Sequence, residues 1–273
     1  MMNELCKRTV FGAVFVIIVL GSVLLHAWAF FIVMAFVVIK GALEMTGLLP
    51  HGESSVCKMS SVTLAFVSYL FMTAMAWHII SFKYAVFAIV LLLVTFIIAL
   101  FSAKDKFINI ASNNWASVLF VALPSGLLMF LHNGIVDVVD NNILIIVIFS
   151  LIWINDIFAY LTGIMIGRHK LFPRISPKKT IEGSVGGLLF TVAAAYFVNR
   201  YLLQLLPDIV MIGMAVVIVV FGSLGDLCES MLKREAGVKD SGSLIPGHGG
   251  ILDRFDATFM AVPFLFVYLM IIM

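Results

Sequence analysis

Charge is what this chain has least of. Only 12% of its 273 residues are Asp, Glu, Lys or Arg, and 63% are hydrophobic. An ordinary soluble domain is about a quarter charged and about half apolar. A water-solvated core could not hide this much apolar surface, so lipid is the expected solvent. Cysteine is scarce as well. Cys6, Cys57 and Cys228 lie far apart without metal-type spacing, so no disulfide or zinc framework is implied. There is no Gly-x-x-x-x-Gly-Lys-Ser/Thr run and no dinucleotide-binding glycine pattern, so neither common nucleotide loop is expected. No soluble domain, low-complexity tract or convincing internal repeat stands out.

What is present is a series of long apolar runs. A bilayer core of roughly 30 Å needs about 20 helical residues. Runs at approximately 10–25, 27–49, 61–80, 84–102, 115–131, 143–166, 184–203, 209–227 and 256–273 predict nine spans. The expected fold class is an all-α polytopic membrane protein. Spans one to five form an N-terminal part over 1–135, and spans six to nine form a catalytic bundle over 136–273. Lys7 and Arg8 precede the first run and no small-x-small cleavage site follows, so that run is expected to stay as an uncleaved span. Residues 10–39 hold no charge. His26 marks either a turn between two spans or a blemish in one long helix.

The few charges are unevenly placed. With nine spans, fourteen Lys and Arg residues fall on the side of the N-terminus, and only Lys83 and Arg200 fall on the other. Such a bias marks the basic side as cytoplasmic. The polar loops, and with them any active site, are expected to face the cytoplasm.

The densest polar stretch runs from Ser230 to Asp256, between two apolar runs. It holds Lys233, Arg234, Lys239, Asp240, His248, Gly249, Gly250, Asp253, Arg254 and Asp256. Just upstream, Asp226, Glu229, Ser230 and Lys233 share a helical face. Asp253 and Asp256, three apart, also share one. A lone Asp at a helix start is usually a cap that favours the dipole. Asp226, Asp253 and Asp256 taken together point instead to a cation site, because hard cations such as Mg²⁺ take carboxylate oxygens and leave positions for phosphates. The glycines of the 246–250 turn allow close backbone approach to a ligand.

Asp156 lies inside the sixth span, where an ionisable group is a functional candidate by default. Asp156, Tyr160, Gly163 and Gly167 form one stripe, and the glycine pair lets another backbone come close. Ser176, Lys178, Lys179, Thr180 and Glu182 open the seventh span. They read either as a basic anchor with a hydroxyl cap or as an anion site of two cations beside a helix start. Acids, cations and a glycine turn at a membrane edge suit phosphoryl or nucleotidyl transfer to a lipid.

Residues Ser230 to Asp256 resemble the C-terminal motif of the phosphatidate cytidylyltransferase (CDP-diacylglycerol synthase) family. The matching positions are Ser230-x-x-Lys233-Arg234, Lys239-Asp240, His248-Gly249-Gly250 and Asp253-Arg254-x-Asp256. Asp156…Ala159-Tyr160…Gly163…Gly167 and Ser176-Pro-Lys-Lys-Thr-x-Glu-Gly183 are similar to it too. The likeness covers residues 153–256, about a third of the chain. The N-terminal half shares only its apolar character. Ile181 departs from the pattern, since many members carry an aromatic residue there. The resemblance implies CTP and phosphatidate as substrates, with CDP-diacylglycerol and pyrophosphate as products. It implies Mg²⁺, with a second cation left open, and a homodimer in a bacterial inner membrane. No nucleic acid partner is implied. On this chain, Asp226, Asp253 and Asp256 would hold metal and Asp156 would support the site. Lys178, Lys179, Lys239 and His248 would bind phosphates. Transfer to an isoprenoid lipid phosphate, ion or phosphate transport, and a lipid-binding scaffold are the competing readings.

Overall fold

The computed structural model describes residues 4–52, 54–102, 106–134, 140–244, 247 and 249–273. His248 lies outside them. Among the described residues, eight helices are long and apolar enough to cross a membrane, and a shorter apolar stretch, 9–25, precedes them. The chain is thus an all-α polytopic membrane protein, with one small two-stranded hairpin as its only sheet among the described residues. It divides into two compact units, 1–133 with 232–255, and 134–231 with 256–273.

The first unit begins with α1 (Glu4–Leu25) and α2 (Ala27–Leu48). His26 separates them. Its backbone is extended, with φ −172° and ψ 149°, and its ring Nδ1 accepts the amide of Trp28 at 3.2 Å. Residues 10–39 are therefore two helices, and His26 is the N-cap of the second. Next come α3 (Ser55–Ala76), a 3₁₀ turn leading into α4 (Phe87–Phe101), then α5 (Phe107–Ala116) and α6 (Leu123–His132). A π turn over 117–122 joins α5 and α6 into one 26-residue span. The third span starts at Ser55, not near 61, and the fifth at Phe107, not near 115. Both early turns contain polar residues that a hydropathy reading discards, yet these residues bond inside the bundle. Asn114 Oδ1 accepts from Ser60 Oγ at 2.8 Å and Ser61 Oγ at 2.9 Å. Asn113 Nδ2 donates to the Pro50 carbonyl at 3.1 Å. In lipid, packing and interhelical hydrogen bonds of this kind hold helices together.

The second unit holds α7 (Asn141–Ile166), β1 (Lys170–Phe172), β2 (Ser176–Thr180), α8 (Ile181–Val198), most of α9 (Asp208–Glu235) and most of α10 (Leu252–Ile272). Asp140 caps α7 by accepting the amides of Asn142 and Ile143. α7 and α8 lie very close together. A Cβ on Gly183 would stand 2.7 Å from the Ala159 carbonyl, and one on Gly163 would stand 3.0 Å from Thr180 Oγ1. The glycine stripe thus lets α8 approach within its own unit. At the far end of α8, the buried Asn199 ties the turn to α9. It accepts the amides of Leu205 and Leu206 and donates to the Leu206 carbonyl and Asp208 Oδ1.

Candidate functional site

β1 and β2 pair antiparallel, with Lys170 opposite Thr180 and Phe172 opposite Ser176. The Ser-Pro-Lys-Lys-Thr stretch is therefore a strand, and the helix starts only at Ile181. Thr180 is the hinge between them. Its hydroxyl accepts the Gly183 amide at 3.1 Å, which satisfies one of the free N–H groups at the helix start. Glu182, in the first turn, fastens the other strand. Its carboxylate accepts the amides of Arg168 and His169 and meets His169 Nδ1 at 2.5 Å. Glu182 is therefore committed to holding the hairpin.

This arrangement delivers Lys178 and Lys179 to a cavity of about 540 Å³ within the second unit. α7 supplies Asn155, Asp156, Tyr160, Gly163 and Gly167 to its wall. Lys170, Lys178, Lys179 and Thr180 enter from the hairpin, Ser184 from α8, and Ser223 and Asp226 from α9. Lys179 forms an ion pair with Asp226 Oδ2, and Ser230 Oγ donates to the other Asp226 oxygen at 3.2 Å. The stripe from Asp156 to Gly167 and the basic pair thus line one space. Lys170, Ser184, Ser223 and Asn155 were not singled out from the sequence. Lys170 carried a signal, since it stands beside the basic pair in the same short polar loop.

Asp256 belongs to the same unit, and its charged neighbours are Asp226, Glu229 and Asp156. The negative charges of these carboxylates act on one another, and Asp226 is also paired with Lys179. Among the described residues, no three His, Cys, Asp or Glu side chains converge into a ready-made chelate. Mg²⁺ usually takes only one or two protein carboxylates and completes its shell with waters and substrate phosphates.

The remaining motif residues lie in the first unit. α9 ends at Glu235 and is capped by Gly237, which has φ +72°; the Val238 amide bonds to the Lys233 carbonyl and the Gly237 amide to the Arg234 carbonyl. This Schellman motif turns the chain out of α9 at Val238. Asp253 holds residues on both sides of this turn. Its Oδ1 meets Lys233 Nζ at 2.6 Å, and its Oδ2 accepts from the Ser241 amide, Ser241 Oγ and the Gly250 amide, each at 2.8 Å. Lys239, Asp240, Arg234 and Arg254 are exposed. Gly249, at φ +82°, leaves no room for a Cβ beside Asp253, and Gly250 leaves none beside Glu44. What approaches these glycines is the protein's own carboxylates. Glu44 was missed in the sequence, although an acid inside an apolar run is the same signal that marked Asp156.

A profile of the family described as "Cytidylyltransferase family" matches residues 6–272. Similar curated proteins are the phosphatidate cytidylyltransferases of Staphylococcus aureus and Staphylococcus epidermidis. The first (strain COL) is 47% identical over 125 residues, covering 44% of this chain and 46% of the relative. The second (strain RP62A) is 44% identical over 121 residues, with the same shares covered. The match spans about half the length of these curated relatives. The profile, in contrast, runs through nearly every residue, from α1 to the end of α10, and so the chain belongs to the cytidylyltransferase family.

Proposed function

We propose that this protein transfers the cytidylyl group of CTP to phosphatidate, giving CDP-diacylglycerol and pyrophosphate. The observation that carries the proposal is the cavity in which Lys178 and Lys179 face Asp156 and Asp226. The names of the staphylococcal relatives supply the substrates.

In this reading a phosphate oxygen of phosphatidate attacks the α-phosphorus of CTP in line. The bond from that phosphorus to the bridging oxygen breaks, and pyrophosphate leaves with the electron pair. The nucleophile is already ionised, so no side chain need remove a proton. Lys178 and Lys179 offset the charge that builds on the phosphate oxygens. Lys179 must exchange part of its contact with Asp226 for the substrate. Asp226 and Asp256 would hold Mg²⁺, which when bound neutralises phosphate oxygens. The sequence motif also implies a metal role for Asp253, a role in competition with its contacts to Lys233, Ser241 and Gly250. Lys239 and His248 would add phosphate contacts, as the motif implies. The exposed apolar flank of α7, with Ile157, Leu161 and Ile164, suits a lipid that keeps its acyl chains in the bilayer. The placement proposed is a bacterial inner membrane with the site facing the cytoplasm, in keeping with the fourteen-to-two basic bias. A homodimer is proposed from the family resemblance alone.

The test is purified protein in mixed micelles with CTP, phosphatidate and Mg²⁺. Equal amounts of CDP-diacylglycerol and pyrophosphate are expected, and chelation should stop their formation. A folded sample that forms neither product, or that prefers an isoprenoid lipid phosphate over phosphatidate, would overturn the proposal.

A further inference from the structure

Glu44 lies in the penultimate turn of α2, in the sequence Gly-Ala-Leu-Glu-Met-Thr-Gly. Placing an acid in a membrane helix is costly unless its oxygens are satisfied. Here they are satisfied by a segment about two hundred residues away. Oε1 accepts the Ile251 amide at 3.0 Å, and Oε2 accepts the Leu252 amide at 2.9 Å. Ser241 Oγ stands 3.1 Å from Oε2 and 2.8 Å from Asp253 Oδ2. A hydroxyl has one proton, so the two carboxylates share a single donor. Gly242 and Gly250 press against the Glu44 carboxylate so closely that a Cβ on either would collide with it.

We infer that Glu44 is a positioning residue for the proposed transfer, acting through Ser241, the Ile251 and Leu252 amides and Asp253. The carboxylate binds two of the free N–H groups at the start of α10, where a negative charge is also favoured by the helix dipole. It thereby fixes the start of the helix that carries Asp253 and Asp256. By sharing Ser241, it also fixes the loop end that Asp253 grips. Asp253 could hold the loop without Glu44, but the first turn of α10 would then be free to fray and rotate. The inference rests on the proposed activity for its functional part and on the hydrogen bonds alone for its structural part.

Two measurements on the full-length protein in micelles separate these parts. Glu44→Gln keeps one acceptor oxygen and places an amide NH₂ where the second oxygen stood, against an N–H donor. Glu44→Ala removes both oxygens. Hydrogen exchange in the peptide covering 241–252 is expected to quicken in Glu44→Gln and more in Glu44→Ala, with the rest of the chain unchanged. In the transfer assay, Glu44→Gln is expected to lower kcat on the order of tenfold to a hundredfold, with a much smaller change in KM for CTP, as misplacement does. Glu44→Asp, which keeps the charge, is expected to recover part of that loss. Unchanged exchange in Glu44→Gln would overturn the structural claim. Faster exchange with unchanged kcat would reduce Glu44 to a structural residue and overturn the positioning claim. If Glu44→Ala fails to fold, Glu44→Gln and Glu44→Asp decide. Wild-type protein without transfer activity would refute the proposed function and, with it, the positioning claim, while exchange would still judge the Glu44 contacts.

Discussion

The ammonium of Lys233 lies 2.6 Å from Oδ1 of Asp253, and the two side chains are only 11% and 6% exposed. Lys233 lies in the last turn of α9 and Asp253 in the first turn of α10, so this pair ties the two helix ends together. Removing one partner of a buried pair leaves the other charge uncompensated, at a cost of about 3–5 kcal/mol.

Asp253→Asn is therefore expected to lose nearly all cytidylyl transfer. It should still insert and purify, with a lower melting temperature in detergent. Near-normal turnover would show that neither the ion pair nor a metal role of Asp253 matters to the reaction.

Lys179 pairs with Asp226 at the cavity wall, and about a quarter to a third of each side chain is exposed. A surface-accessible pair contributes little to stability. Lys179→Ala should thus melt close to wild type while its KM for CTP rises about tenfold, the loss of roughly one charge-assisted phosphate contact. Unchanged saturation curves would leave Lys179 as a membrane anchor.

Gly183 sits under the Ala159 carbonyl and beside Gly163 Cα. Gly183→Ala forces α7 and α8 apart and should cost about 1–3 kcal/mol, as overpacking does. Thermal unfolding would measure this, and activity should fall with it, because the same two helices form the cavity wall. A variant with wild-type melting would mean the seam is looser than its geometry indicates.

Asn199 makes four hydrogen bonds around the α8–α9 turn and lines no part of the site cavity. Asn199→Ala strands buried backbone groups and should cost about 1–3 kcal/mol. Turnover per folded molecule should be unchanged. A fall in kcat without a change in melting would show that this remote turn is coupled to the chemistry.

Local patterns were readable because lipid imposes them. Long apolar runs must become helices when no water can satisfy the backbone, and eight of the nine expected runs are spanning-length helices among the described residues, the first being shorter. Their ends do not follow from hydropathy, because Ser60, Ser61, Asn113 and Asn114 look like loop residues until their partners are known. The hairpin that carries Lys178 and Lys179 was equally hidden. Its strands are three and five residues long, too short for alternation to register, and Glu182 stabilises it from outside the strands.

The amino-acid order by itself determined a helical membrane protein, with most of its basic residues confined to a few short polar segments and a dense set of acids and bases between Asp156 and Asp256. Each of those features depends on near neighbours in the chain. The folded arrangement alone decided which partner each charge takes: Asp226 with Lys179, Asp253 with Lys233 and Ser241, and Glu44 with the start of α10. The Glu44–Ser241 contact joins residues 197 positions apart. Helical periodicity places each side chain on a face, but only packing determines what that face meets.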